Sequence, residues 1–502
     1  MKKQDLDRII NIEKRINELA KEFSLMTTDT LFEIVPAQRV LEGMAYMFPT
    51  NFSHWSFGRD YEKHRTIYEH TGQGIPYEQV WNFDIPRALL VETNPLTLNI
   101  LVVAHVYGHV DYFLGNRYLQ HGRSFSNISE EARNASIRFA EYETKYGKEL
   151  EKVIDAGMSI MWHQHPDPFF EELDEDLTRK RLIDFERAKL ERANDTLSRF
   201  KKPDTQEEIK KVEKKLEYLQ SKTPPEPVYD LLKYIITKSP RPLKPWMVDV
   251  LTVLRNQARC LAPNMRTKML DEGWATYWHV KIMRRLFEEG LLTAEEHGIF
   301  DEFHSGVTEE RKKSFNWYRI GLALVEYIKE RWDKGQFGRE YDENPDPFKR
   351  SSWDKKANKG TEKIFNVRSF YTDRMAVEEF FTDEFIRAQG IYLYVSLPDN
   401  NGNIVDMIAE DDPEVIRNML KTSMASHGPQ IVVQNGNYQG KDHLYLRHIF
   451  TGYELDSRYR DATLENISYL WGRKVMLNCM DEGKEQEFSF DYHEKGKKKK
   501  IK

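Results

Sequence analysis

Apolar residues recur at three- and four-residue spacing near the start of the chain, at Ile9, Ile12, Ile16, Leu19 and Phe23. That period puts them on one face and predicts an amphipathic helix over 3–25. Residues 30–92 break the period with aromatics, Gly and Pro, and Arg87-Ala88-Leu89-Leu90-Val91-Glu92 reads as a short strand. Asn94 as N-cap and Pro95 at the first helical position predict a helix to about Leu114, stopping at Gly115-Asn116. Further helices are expected over 128–162, over 267–289 (with Thr267 as N-cap and Gly290 just past the end) and over 316–333. Residues 171–222 hold Glu, Lys, Arg, Asp and Leu with few aromatics, the pattern of an exposed helical hairpin broken near Lys202-Pro203-Asp204.

After about residue 365 the character changes again. Gly390 to Val395, Gln430 to Val433 and His443 to Leu446 read as strands, and 412–425 and 460–470 as helices. The expected class is α+β and predominantly helical. The expected division is a helical domain over 1–365 carrying a charged insertion at about 171–222, a small α+β domain over 366–490, and a basic, disordered tail over 491–502.

Length and composition narrow the function. A chain of 502 residues exceeds one compact core, and its 40% hydrophobic content is enough to fold rather than stay disordered. A net charge of -6 argues against a nucleic-acid partner. Cys260 and Cys479 stand far apart and in no CxxC spacing, which argues against a disulfide framework or a thiolate metal site and fits a reducing compartment. No apolar leader and no transmembrane segment is legible, so a cytoplasmic location is expected.

The chemistry concentrates in two segments. Ala104-His105-Val106-Tyr107-Gly108-His109 places two histidines four apart, one turn up the same helix face, where both imidazoles can reach one divalent metal. In the H-E-x-x-H metallopeptidase form the glutamate is the general base. Val106 occupies that position here and cannot take a proton. Asp271-Glu272-Gly273-Trp274-Ala275-Thr276-Tyr277-Trp278-His279 lies on a later helix. In one large metallopeptidase group, the gluzincin-like group, the third ligand is a glutamate on a second helix, in several families within Glu-Gly-Trp-Ala. Glu272 fits that role and completes a His105, His109, Glu272 set for a divalent metal, with zinc expected. Structural histidines and an aromatic stripe would give the same spacing without a metal. His279 is two turns from Glu272 and is expected to support the site or face substrate rather than share the ion. Asp111 is expected to orient an imidazole. His54, His163, His165 and His304 carry weaker signals.

Asn51 to Gly58 (NFSHWSFG), AHVYGH, EGWATYWH and the run from His304 to Val307 occur in the order seen in the stage V sporulation protein R family, which the chain resembles from about residue 20 to about 480. Val110 stands where that family often has asparagine. The resemblance implies a role in forming the spore cortex, a modified peptidoglycan. It also implies association with an AAA+ type serine protein kinase and a protein with a von Willebrand A-like domain. The missing glutamate is shared with the family.

Three readings follow. The first is a metal-dependent amide hydrolase, with His279 or Asp111 as base, His163 as a distant third, and Tyr107 or Tyr277 as oxyanion donor. The second is a non-catalytic regulator or scaffold that keeps a peptidase-like fold. The third is a metal-free helical protein.

Overall fold

The structure, a computed structural model, describes residues 3–46, 52, 54–71, 78–123, 128–165, 167–170, 174–197, 203–312, 314–398, 403–424 and 428–493. The lysine-rich tail and the motif residues Asn51 and Ser53 lie outside the described residues. The fold is α+β and predominantly helical, with small sheets. The chain forms two compact units: Met1–Arg138 with Arg259–His427, and Phe139–Ala258 with Gly428–Lys502.

The first unit begins with α1 (Lys3–Glu22), whose buried face is Ile9, Ile12, Ile16, Leu19 and Ala20, as the periodicity predicts. Strands β1 (Leu31–Val35), β2 (Glu78–Trp81) and β3 (Arg87–Val91) form a sheet in the order β1-β3-β2. β1 runs parallel to β3, with Leu31 opposite Arg87, and β2 runs antiparallel to β3. β3 leads directly into α2 (Leu96–Gly115), which is apolar on every side and buried along nearly its whole length. Such a helix sits inside a core rather than on it.

The start of α2 differs from expectation. Pro95, not Asn94, takes the N-cap position, because its backbone is extended (φ -52°, ψ 148°), and no side chain caps the helix. The Asn94 amide donates instead to Asn99 Oδ1, at 3.2 Å.

Next come α3 (Lys268–Glu288), α4 (Ala294–Val307), α5 (Trp317–Lys334), α6 (Gly360–Phe370) and α7 (Asp373–Phe380). α3 ends as predicted, with Gly290 at φ +73° just beyond it. Its start also falls where expected, but the capping group differs. Thr267 holds the N-cap position, but its hydroxyl donates to the Pro263 carbonyl. The helix is capped from afar by Asp373, whose carboxylate accepts the Met269 and Leu270 N–H groups at 2.8 and 3.0 Å. Side chains of all seven helices except α4's outer face meet one apolar core, which also takes in Phe385, Ile391, Ile416 and Leu420. The hairpin β4 (Leu393–Pro398) with β5 (Ile404–Glu410) completes this unit.

The second unit carries a four-stranded sheet of β6 (Ile431–Tyr438), β7 (His443–His448), β8 (Val475–Asp481) and β9 (Lys484–Phe490), in chain order. β7 and β8 are parallel, and helix Ser457–Trp471 connects them. The charged stretch forms the expected hairpin, Glu175–Leu197 and Pro203–Ser221. The buried Glu186 of its first helix accepts from Lys215 of its second at 2.7 Å. Among the described residues no helix is long and apolar enough to cross a membrane.

Candidate metal centre

Close helix packing builds the site. At Gly108, between the two histidines of α2, a Cβ would lie 2.6 Å from the Ala275 Cα of α3. At Gly273 a Cβ would lie 2.2 Å from the Gly321 carbonyl carbon of α5, and at Gly321 one would lie 2.3 Å from the Met269 carbonyl oxygen. Only glycine permits backbones this close. The contacts seat Glu272 of α3 opposite His105 and His109 of α2.

Ligating atoms of His105, His109 and Glu272 all fall within 4.8 Å of one another. Glu272 Oε2 lies 3.5 Å from His105 Nε2 and 3.6 Å from His109 Nε2. Tetrahedral coordination with bonds of about 2.1 Å separates ligand atoms by ~3.4 Å, so the spacing fits a divalent ion. Glu272 Oε2 is buried and has no hydrogen-bond donor of good geometry. Burial pushes the Glu272 carboxyl up, but the imidazoles of His105 and His109 outweigh it and hold the group below the usual carboxylate range. It is therefore an anionic ligand at neutral pH.

The far side of each imidazole is held. His109 Nδ1 lies 2.7 Å from Asp271 Oδ1, and His105 Nδ1 lies 2.9 Å from His279 Nδ1. His279 Nε2 in turn lies 3.1 Å from His304 Nδ1 of α4. Both ligand rings thus present Nε2 to Glu272, the arrangement in which backing groups fix a metal-binding histidine.

Two comparisons decide the family. Residues 3–428 match the family described as SpoVR like protein, and residues 429–482 match the SpoVR-like C-terminal domain. The chain belongs to the SpoVR family. It is also 27% identical, over 491 residues, to a protein of Escherichia coli (strain K12) named Uncharacterized protein YcgB, spanning 93% of this chain and 91% of that one. No solved structure matches it.

The remaining expected residues of this SpoVR-family chain fall elsewhere around the helices. His279 is buried with both ring nitrogens engaged, as a support of His105. Asp111, expected to orient an imidazole, is fully buried but serves other groups. Its carboxylate accepts the Trp274 indole N–H at 2.8 Å and the Met26 N–H at 2.7 Å, and lies 3.3 Å from Arg368 Nε. Asp271 is the orienting carboxylate, and sequence reasoning passed over it although it adjoins Glu272. Tyr107 lies two residues from each histidine, on the far side of α2, and its hydroxyl donates to Glu13 of α1 and accepts from Asn17 at 3.0 Å. Tyr277 packs edge-on against Trp278 and under Lys281. Burial pushes its hydroxyl up to about 12. In the NFSHWSFG segment the buried His54 shares a hydrogen bond with Ser56 at 2.7 Å and packs against Phe57. His163 and His165 belong to the second unit.

Proposed function

We propose that this chain holds a divalent metal, zinc, at His105, His109 and Glu272 and uses it as an amide hydrolase, its substrates drawn from peptidoglycan or the proteins that build the spore cortex. The observation that carries the reading is the buried Glu272 carboxylate facing two Nε2 atoms whose rings are fixed from behind by Asp271 and His279. A mixed N/O donor set suits zinc over the harder magnesium or calcium. Such an ion supplies Lewis acidity and an acidified water. The chain's own residues hold the ligands, and the buried Phe113, stacked on the His109 ring, keeps bulk water from it. The base expected at His279 or Asp111 gains no support, since both groups are committed to other partners. Metal content by mass spectrometry tests the reading beside His105→Ala and Glu272→Ala. About one equivalent of zinc in the wild type, lost in both variants together with amide cleavage, is expected; zinc-free wild-type protein after incubation with zinc sinks it.

A second reading has its own observation. Val106, in the position of the metallopeptidase base, is fully buried and inert. A metal-stabilised regulator would need no base. In that reading the centre is structural and the chain works with an AAA+ type serine protein kinase and a von Willebrand A-like protein in the cytoplasm. Recovery of both by pull-down, with zinc bound and no hydrolysis detectable, would favour it over the first.

A further inference from the structure

The two histidine ligands are backed differently. Asp271 accepts at Nδ1 of His109, so that ring keeps its proton on Nδ1 and its lone pair on Nε2. His105 is backed by another imidazole, and an imidazole pair can share its proton either way round. Behind His279 stands a third ring, His304, and Phe300 stacks on it with centroids 5.8 Å apart. His105 and His279 are buried, whereas His304 is only partly so. The three rings therefore form one hydrogen-bonded row from the metal centre toward the edge of α4.

We infer that His105, His279 and His304 form an imidazole relay in which metal occupancy at His105 decides which nitrogen of His304 carries its proton. The inference rests on the metal reading above. At pH 8 ordinary imidazoles are neutral and each carries one ring proton. A ligand Nε2 must be bare, so His105 holds its proton on Nδ1 and donates to His279 Nδ1. His279 then carries its proton on Nε2 and donates to His304 Nδ1, which leaves the His304 proton on Nε2, at the outer end. Without an ion, the negative Glu272 carboxylate 3.5 Å from His105 Nε2 favours, through its charge rather than a formed hydrogen bond, a proton on that nitrogen, and each hydrogen bond in the row then reverses. On metal binding, His105 Nε2 loses one proton to solvent, one proton shifts across each of the two hydrogen bonds, and His304 Nε2 gains one from solvent. Protons balance and no ring changes charge. His279 and His304 are positioning residues, and the centre's state reaches a half-buried side chain without any backbone movement.

Two measurements on the full chain test this. Long-range proton–nitrogen spectra of protein labelled with ¹⁵N-histidine report the His304 tautomer, and added zinc should move its proton from Nδ1 to Nε2. Zinc affinity is then compared in His304→Asn and His304→Leu, which match in size and charge but differ in having an acceptor at the Nδ1 position. Asn should stay within about threefold of wild type, and Leu should weaken zinc by about tenfold or more, the scale of lost support behind a metal ligand. Zinc bound with an unmoved His304 tautomer, or with Leu equal to Asn, overturns the relay alone. No zinc bound by wild type overturns the metal reading and the relay with it.

Discussion

Asp111 gathers three groups behind the cluster: the Trp274 indole, the Met26 amide and the guanidinium of the buried Arg368. Removing one partner of a buried ion pair strands the other charge. Asp111→Ala should therefore cost about 3–5 kcal/mol in urea unfolding, more than any ligand substitution made in metal-free protein. A second residue sets a pH dependence. Burial holds His163 down to about 4, against 6.5 for the free group. Its protonated form is disfavoured in the fold, so its share of stability is complete above pH 6.5 and is lost as pH falls toward 4, a drop of about 3 kcal/mol. His163→Asn should flatten that part of the stability profile, measured as the urea midpoint from pH 4 to 8. The triad His105, His109 and Glu272 was legible from sequence because i,i+4 spacing and a local motif express it. The choice of Asp111 over Asp271 as orienting group failed for a geometric reason. Residues two apart on a helix point about 200° away from each other, so Asp111 turns from His109, while Asp271 reaches it across the helix interface, 162 residues away.

Among elements, α3 crosses α5 at backbone contact, with Gly273 against Gly321. A methyl at Gly273 meets backbone rather than a movable side chain, so the helices must part. Gly273→Ala should cost about 3 kcal/mol and weaken zinc more than tenfold, since Glu272 rides on the same turn. Calorimetric zinc titration of a variant that still folds checks the second effect. Element types were largely legible: α1, the charged hairpin, α2, α3 and β3 all appear where periodicity and punctuation put them. Helix starts were less so. Thr267 is a good capping residue by type, yet Asp373 does the capping from more than 100 residues away, and no local signal carries that.

At the scale of the molecule, each unit is made from two separate stretches of chain. His105, His109 and Glu272 and the groups that back them all lie in the first unit, so zinc bound as proposed should slow amide exchange in α2 and α3 and leave β6 to β9 unchanged. Hydrogen-exchange mass spectrometry with and without zinc tests this; protection spread equally over both units would count against it. Hydrophobic periods are local and could not show which stretches join. That interleaving has a consequence on the ribosome. At roughly 5–20 residues per second, the 162 residues from Val110 to Asp271 take about 8–30 s to synthesise. For that interval α2, apolar on all sides, has neither α3 nor α5 to cover it. The nascent chain must carry this apolar helix uncovered for that interval, and the cluster of His105, His109 and Glu272 can be completed only after that wait.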